Sequence, residues 1–390
     1  MDRVQDSRKT GIASDLLLAW GAAADGVTAQ TAQTREKYWR KWTQYCLDCS
    51  QSNPYLDNVD RIEQSILLLG FAARVRTGAY GLGNQVKVQS VTDALSAISQ
   101  TCKLVGKPSP VLEKEGEYIL PIRRLIEGFR RQDPPAIPQL ALPVEVPTEA
   151  RRLGYLTKDT KQMAAGDLSV IGYYYLLRSG EYTKPRKVKR NGQYVHATRT
   201  KQFRVRDIGF WKDGSILPRS SKPHILVTAD AATMKISNQK NGRVGETLYQ
   251  EATGPNGAVA CLATRVSHIL GNGGNGDNLI CDYCVDGEWY AVDSSDIVRI
   301  VRTAVRSLNL QYKGIDPDLV GAHSLRAGGA MALKLMGYKD STIQKIGRWT
   351  SNTWQMYIHS QISKLHEGVA ADMSKSMSYH NIAFIEPNGN

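Results

Sequence analysis

The sequence predicts an α+β protein, in which an all-helical N-terminal domain precedes a mixed, mainly helical domain with a small antiparallel sheet. Aromatic residues recur at helical spacing from Thr31 onward, and no strand pattern appears before residue 132. Runs typical of β-strands begin only after residue 200. A proline-rich segment separates the two patterns, and 390 residues are enough for each domain to bury its own core.

The first 132 residues divide into an arm and a helical domain. Residues 1–30 are small and polar without a regular pattern, so we expect a flexible arm. In residues 31–132, Tyr38, Trp42 and Tyr45 are four and three positions apart, as on one face of a helix. Three more helical stretches follow between glycine- and proline-containing breaks: DRIEQSILLLGFAARVRTG, QVKVQSVTDALSAISQTCKLVG and PIRRLIEGFRRQ.

Residues 133–150 are rich in proline, which cannot continue a helix, and are predicted to link the two domains. The second domain, residues 151–370, is predicted to begin with helices. Its β-like runs are FRVRDIGFW, HILVTADAATMKIS and VGETLYQEA. Asn241 and Gly242 form a hairpin-turn signal between the last two runs. Helices are expected again toward the end of this domain, and residues 371–390 are predicted to be a tail.

The charge of the chain favours a polyanionic partner. Fifty Lys and Arg residues against 37 Asp and Glu residues give a net charge of +13. The excess lies in the second part: residues 1–150 hold 18 basic and 17 acidic residues, and residues 151–390 hold 32 and 20. Residues 184–206 contain nine basic residues and no acidic one, alternating with Tyr, Val and Phe as on a strand face. A plain basic surface, or a nuclear-import signal at PRKVKR, is the alternative interpretation.

Membrane and disulfide-rich classes are not expected. No apolar run reaches the roughly 18–20 residues that cross a bilayer, and the N-terminus has only a short apolar patch, which argues against a secretory signal. Six cysteines in so long a chain point to a reducing compartment. Two Cys-x-x-Cys pairs resemble halves of a zinc site, but Cys49 and Cys281 are 232 positions apart, so we expect thiols and no metal.

The candidate residues for chemistry are weak signals when taken one at a time. His323 and Arg326 are three positions apart, so a helix from Ser324 would place both on one face, within reach of one phosphate. The glycines that follow are poor helix-interior residues and suggest a close approach by another backbone. Tyr357 alone is one tyrosine of eighteen, and Lys235 alone fits a solvated strand residue.

The order and spacing of these residues resemble those of the tyrosine recombinase (phage integrase) superfamily. The matching features are Arg-x-x-Glu at 178–181, a lysine before a hairpin turn, His-x-x-Arg at 323–326, Gly-Arg-Trp at 347–349 and Tyr357. Together with the domain layout, the resemblance spans about residues 30–365. GRWTSNTWQMYI looks most like the eukaryotic, Crypton-type mobile-element recombinases. The resemblance implies a core-binding (SAM-like) helical domain over 31–132 and a catalytic domain over 151–370.

The resemblance also implies a role for each matching residue. Arg178 and Arg326 would clamp the scissile phosphate, and Tyr357 would attack it to form a 3′-phosphotyrosine. Lys235 would protonate the leaving 5′-oxygen, and His323 would act as a base or hydrogen-bond donor. Glu181 would hold the Arg178 region in place through its carboxylate. Trp349 would be the buttress beside the phosphate.

Two of these placements have competitors. The family usually has its His or Trp nine residues before the tyrosine, which is Arg348 here, whereas Trp349 is eight before. We favour Trp349 for the buttress and expect Arg348 to support the site. Lys240 competes with Lys235 because both flank the same hairpin, and Lys235 is favoured because it precedes the turn.

The implied function is site-specific DNA recombination for integration or excision of a mobile element, without metal or cofactor. Four protomers would act on two double-stranded DNA sites, inside the cell, in the nucleus of a eukaryote or otherwise in the cytoplasm or nucleoid. The alternatives are a catalytically silent, recombinase-derived DNA-binding protein, and a telomere resolvase or type IB topoisomerase-like enzyme. The basic side chains expected to contact DNA are Lys184, Arg186, Lys187, Lys189, Arg190, Arg199, Lys201, Arg204, Arg206, Lys240 and Arg243.

Overall fold

A computed structural model describes residues 26–113, 116–135, 140–190, 192–198, 200–238 and 245–357, together with positions 15, 18, 367–369 and 371. The predicted α+β class is confirmed: helices predominate, and the strands form small antiparallel sheets. The chain divides into two compact units, each with its own core. The first comprises Met1–Ala136 and Arg186–Arg199, and the second Ile137–Pro185 and Thr200–Asn390.

Among the described residues, the first unit contains four helices: α1 (Ala29–Asp48), α2 (Arg61–Arg76), α3 (Val88–Leu104) and α4 (Leu120–Gln132). The start of α2 is set by Asp60, whose carboxylate accepts hydrogen bonds from two first-turn amides at 2.8 and 3.1 Å. The core of the unit is aromatic, and the rings of the fully buried Trp42 and Phe71 meet edge to face with centroids 5.1 Å apart.

A basic hairpin from the middle of the chain completes the first unit. Strands β1 (Lys187–Arg190) and β2 (Gln193–His196) pair antiparallel, and β1 contacts α1. The backbone amide of Gln30 donates to the carbonyl of Ala197 at 3.2 Å. The sequence pattern had placed this segment in the second domain. Val188 is buried, and it lies on the opposite face of the hairpin from Lys187 and Lys189.

The second unit is organised around one buried helix. Its helices are α5 (Glu145–Leu156), α6 (Thr160–Tyr174), α7 (Ser179–Tyr182), α8 (Pro223–Leu226), α9 (Ala258–Gly271), α10 (Ser294–Ser307), α11 (Ser324–Leu335) and α12 (Asp340–Ile346). Every residue of α6 from 164 to 173 is buried, and α6 contacts α5, α9, α10 and α11. A helix that is buried on all sides is a central core element.

A four-stranded antiparallel sheet lies in the same unit. Its strands are β3 (Ile208–Lys212), β4 (Ser215–Leu217), β5 (Ala231–Lys235) and β6 (Thr247–Glu251), in the order β4-β3-β5-β6. The antiparallel pairing of β5 with β6 agrees with the hairpin predicted between them, although the turn residues Asn241 and Gly242 lie outside the described residues. The run HILV was predicted as strand, but its first three residues lie in α8, because Pro223 occupies the first turn, where no amide hydrogen is needed.

Two further differences have local causes. Strands β7 (Asp282–Val285) and β8 (Glu288–Ala291) form a hairpin that was not predicted, although its turn residues Asp286 and Gly287 are a strong signal. Helix α5 begins inside the predicted linker because Pro147 lies in its first turn, where proline is tolerated. Among the described helices, none combines the length and hydrophobicity needed to span a bilayer.

Candidate functional site

The Arg-x-x-Glu motif builds a tight turn after the central helix. Arg178 precedes α7, and its backbone amide donates to Glu181 Oε2 at 2.9 Å. Its Nη1 donates to Glu181 Oε1 at 3.1 Å, so one carboxylate holds both the backbone and the side chain of Arg178. Glu181 is 2% exposed and Arg178 is 22% exposed, and the guanidinium therefore faces partly outward.

Leu176, two residues before Arg178, provides the shared acceptor of the site. Its side chain is buried, and its backbone is left-handed with φ +47°, which is costly for a residue with a Cβ. Its carbonyl accepts hydrogen bonds from Arg326 Nη1 and from Arg348 Nη2, the latter at 3.1 Å. Two arginines that are distant in the sequence therefore meet on one backbone oxygen.

The His-x-x-Arg motif lies at the start of α11, as the spacing predicted. His323 precedes the helix and is exposed, whereas Arg326, one turn further, is 1% exposed. Besides its bond to Leu176, Arg326 donates through Nη2 to the carbonyl of Gly347. Its guanidinium carbon is 4.3 Å from the centroid of the Trp349 ring. Backbone carbonyls and an indole face therefore fix the plane of this guanidinium.

The glycine pair after Arg326 allows the helix to reach this position. A Cβ on Gly328 would lie 2.9 Å from the backbone nitrogen of Leu142, and one on Gly329 would lie 2.6 Å from the carbonyl oxygen of Tyr173. The close backbone approach expected at this pair is confirmed, and the neighbours are the segment before α5 and the end of α6.

Arg348 and Trp349 point in different directions from one strained turn. Arg348 has φ +59° and is 1% exposed, and its two terminal nitrogens contact the carboxylate of Glu181 at 3.3 and 3.1 Å. Trp349 folds back over Gly347, where a Cβ would overlap the indole ring. The structure therefore places Arg348 on Glu181 and Trp349 on Arg326.

The electrostatics of the cluster favour an anion. Burial by itself raises the pKa of Glu181, but Arg348, the Arg178 amide, Arg178 and Arg326 together hold that pKa below its usual value. The carboxylate is therefore ionised at neutral pH. Three guanidiniums and one carboxylate leave these four side chains with an excess of positive charge. Planar guanidiniums in a poorly solvated site suit the oxygens of a phosphate.

Lys235 ends strand β5, opposite Thr247 of β6, and is exposed. The sheet is tied to the chain that leads to Leu176 by two hydrogen bonds. Tyr175 donates through its hydroxyl to the carbonyl of Ala232 at 2.9 Å, and Gln250 donates to the carbonyl of Tyr174 at 2.7 Å. The strand that carries Lys235 is thus anchored to the segment that carries Arg178 and the shared Leu176 carbonyl.

Tyr357 is the last residue of a 3₁₀ helix, Asn352–Tyr357, which contacts α11. Its side chain lies outside what the structure describes. Trp354 in the same turn is buried, and its ring centroid is 6.5 Å from that of Trp349. The backbone that carries Tyr357 is therefore continuous with the turn that carries Arg348.

The basic residues predicted to contact DNA are distributed over both units. Six are exposed: Lys184, Arg186, Lys187, Lys189, Lys201 and Arg206. Arg204 and Arg206 also contact Asp277, the former at 3.5 Å, so part of their charge is neutralised within the chain. The side chain of Arg190 and the residues Arg199, Lys240 and Arg243 lie outside the described residues.

Three residues of the site were missed from the sequence: Leu176, Tyr175 and Gln250. Leu176 acts through its carbonyl and a left-handed backbone, for which leucine carries no sequence signal. The tyrosine and the glutamine act through long-range hydrogen bonds to backbone, which no local pattern indicates. Gly347 was seen only as part of a motif, and the indole that covers it explains the glycine.

Within the described ranges, no group of three or more His, Cys, Asp or Glu side chains is arranged to hold a metal ion. All six cysteines are free thiols. Burial raises the pKa of Cys46 and of Cys281 to about 12, so both thiols are protonated at neutral pH.

Comparisons with known proteins give low similarity. No family model matches the chain, and no curated protein matches it. Among solved structures, the fold is similar to the XerH site-specific recombinase bound to palindromic difH substrate in a post-cleavage complex. The TM-score is 0.48 and the identity 14%, covering 83% of this chain and 75% of that one.

The Tn1549 transposon integrase in complex with circular intermediate DNA has a TM-score of 0.46 and 12% identity, with 92% of this chain and 98% of that chain covered. The XerA recombinase has a TM-score of 0.36 and 15% identity, with 91% and 96% covered. Likenesses of this size assign no activity to the chain.

Proposed function

We propose that this chain is a site-specific DNA recombinase of the tyrosine recombinase superfamily, which cuts and rejoins DNA strands through Tyr357. The observation that supports this most strongly is the convergence of three arginines, Arg178, Arg326 and Arg348, around residues 176–181. A buried cationic group of this kind stabilises an anion whose charge increases in a transition state. Tyr357 follows this group, nine residues after Arg348 and eight after Trp349, against a usual spacing of nine in the superfamily.

The proposed reaction conserves the energy of the broken bond. The hydroxyl oxygen of Tyr357 attacks the phosphorus and loses its proton to a base, with His323 as the candidate. The bond to the 5′-oxygen breaks, and Lys235 supplies the proton that the leaving oxygen takes up. The products are a 3′-phosphotyrosine and a free 5′-hydroxyl. The 5′-hydroxyl of a second strand then attacks the phosphotyrosine, and the same steps in reverse join the strands and release Tyr357.

The arginines have separate roles in this proposal. Arg178, which is partly exposed, and Arg326, whose plane is fixed by Trp349, bind the non-bridging oxygens of the phosphate. For the buttress we propose Trp349 over Arg348. The contact of the Trp349 ring with Arg326 supports this choice, as does the ion pair of Arg348 with Glu181.

We further propose that the exposed face of the β1–β2 hairpin contacts the DNA backbone. Lys187 pairs with His196 across the hairpin and Lys189 with Tyr194, and alternation places all four exposed side chains on one face. The hairpin belongs to the helical unit. It therefore gives that unit a basic surface that residues 1–136 do not supply. We also propose that four protomers act together on two double-stranded DNA sites, inside the cell and without a cofactor. The DNA that is integrated or excised would be a Crypton-type mobile element.

The test is covalent trapping on nicked DNA. A duplex that the protein binds is first selected from a randomised pool, and a nick is then placed at successive positions. Attack beside a nick releases a short fragment, so religation stops and the protein stays attached to the DNA. The wild type should be trapped, Tyr357→Phe should not, and Tyr312→Phe, which changes a tyrosine that is 86% exposed, should behave like the wild type.

Three other results would point to a different function or to a different nucleophile. Binding without trapping in the wild type would favour the silent DNA-binding alternative. Trapping that survives Tyr357→Phe would show that another residue is the nucleophile. Hairpin-ended DNA or relaxed plasmid as the main product would favour a telomere resolvase or a type IB topoisomerase-like enzyme.

A further inference from the structure

Arg348 joins the two halves of the site. It follows Gly347, whose carbonyl accepts from Arg326, and it precedes the 3₁₀ helix that ends at Tyr357. Its side chain crosses to the other segment and contacts Glu181 with both terminal nitrogens and the Leu176 carbonyl with one of them. The guanidinium of Arg348 therefore connects the Tyr357 segment directly to Glu181 and to Leu176 in the Arg178 segment.

The backbone at both ends of this connection is strained. Arg348 has φ +59° and Leu176 has φ +47°, and a left-handed conformation is unfavourable for a residue with a Cβ, which comes too close to a backbone carbonyl oxygen. Glycine would adopt either conformation at a lower cost. The hydrogen bond from Arg348 Nη2 to the Leu176 carbonyl links these two residues directly. Strain of this kind persists only where surrounding contacts hold it, and it is concentrated at functional sites.

The contacts of Arg348 require a planar fork. Its Nη1 and Nη2 bind one carboxylate, and Nη2 also reaches a carbonyl. Lysine has one nitrogen at the end of a flexible chain and cannot reproduce this arrangement. With Arg348 removed, the buried Glu181 would keep Arg178 as its remaining described ion pair. A buried carboxylate that loses a charged partner is strongly destabilised.

We propose that Arg348 is a positioning residue, which locks the Tyr357 segment, Glu181 and the carbonyl shared with Arg326 into one rigid unit. The expected effect on cleavage rests on the proposed function, whereas the rigid connection between the two segments does not. Arg348 touches Glu181 and backbone, and the phosphate is bound by Arg178 and Arg326.

The first measurement is hydrogen exchange of the DNA-free full chain, in the wild type and in Arg348→Lys and Arg348→Gly. Both variants should lose protection in residues 174–182 and 347–357 together, by about tenfold or more, while α9 is unchanged. Arg348→Gly relieves the backbone strain but has no side chain. Wild-type protection in that variant would show that the backbone alone sets the structure, and would overturn the inference.

The second measurement is single-turnover trapping on nicked DNA, with DNA affinity from fluorescence anisotropy. Arg348→Lys should slow cleavage by about 10- to 100-fold and change the DNA affinity by less than about twofold. Glu181→Gln should slow it similarly, and the double variant should be little slower than the worse single variant. Additive losses, or equal losses of affinity and rate, would count against positioning.

These outcomes separate the two proposals. If the wild type is never trapped, the proposed function fails, and hydrogen exchange still decides whether Arg348 locks the two segments. If the wild type is trapped and Arg348→Lys has wild-type exchange and cleavage, the inference fails and the proposed function stands.

Discussion

The guanidinium of Arg326 lies against the indole of Trp349, with the guanidinium carbon 4.3 Å from the ring centroid. The arginine is buried, and its nitrogens donate to the carbonyls of Leu176 and Gly347. A cation over a tryptophan face gains up to about 2 kcal/mol when it is desolvated. The ring therefore both orients the charge and shields it from water.

Trp349→Phe should slow cleavage because phenylalanine offers a smaller and weaker face to Arg326. We expect a loss of about 1 kcal/mol, or roughly fivefold in single-turnover rate. Trp354→Phe is the control, because Trp354 is buried in the same apolar cluster as Trp349. Equal slowing by the two substitutions, after correction for the folded fraction, would contradict a specific role for the Arg326 contact.

Gly347→Ala should destabilise the second unit, because the added Cβ overlaps the Trp349 ring. Gly347 has φ −78°, so the cost comes from the overlap and not from the backbone. We expect about 1–3 kcal/mol in urea unfolding. The control is Gly271→Ala at the end of α9, where a Cβ would meet nothing within 4 Å, and its effect should stay within about 0.5 kcal/mol.

Replacement of Lys187 and Lys189 by alanine should reduce the salt dependence of DNA binding. Each phosphate contact contributes about 0.9 to the slope of log K against log salt, so the double variant should lose about 1.8. Arg204→Ala with Arg206→Ala is the matched pair, because both arginines already contact Asp277. A smaller loss is expected there. An unchanged slope in the lysine variant would remove the hairpin from the DNA interface.

Lys235→Ala should stop cleavage of ordinary DNA but not of DNA whose 5′-bridging oxygen is replaced by sulfur. A thiolate is a far better leaving group than an alkoxide and needs no proton from an acid. Lys240→Ala, tested in parallel, addresses the competing lysine. Rescue by sulfur in the Lys240 variant instead of the Lys235 variant would transfer the acid role to Lys240.

His268 should make folding stability depend on pH between about 6.5 and 4. Burial, and then the nearby Arg265, lower the pKa of His268 from 6.5 to about 4, and its Nε2 accepts from the Cys284 amide at 3.1 Å. The folded state favours the neutral ring, so this contribution is complete above pH 6.5 and is lost as pH falls toward 4.

His268→Gln retains a possible acceptor and does not titrate. Its free energy of unfolding, measured in urea at pH 7 and pH 4.5, should therefore fall by less than that of the wild type. The same fall in both proteins would show that His268 is not the group responsible.

Short-range features of the site were accessible from the sequence. The spacing of His323 and Arg326 predicted one helix face, and α11 places them at its first turn. Arg178 and Glu181 were predicted as neighbours, and the pair closes a turn through two hydrogen bonds. In contrast, the apolar run HILV was expected to be a strand, but a helix begins at the proline before it. Proline favours the first turn of a helix even when the residues that follow have a high β-propensity.

The sequence by itself determined the α+β class, most of the segments that form helices, and the arginines, the carboxylate and the indole that the structure brings together. These depend on periodicity, on turn chemistry and on residue type, all of which act over a few positions. Tertiary structure alone decided that Arg348 binds Glu181 while Trp349 faces Arg326, and that the basic hairpin joins the helical unit. Arg348 and the Leu176 carbonyl are 172 positions apart, and only the packing of α6 against α11 brings their segments together.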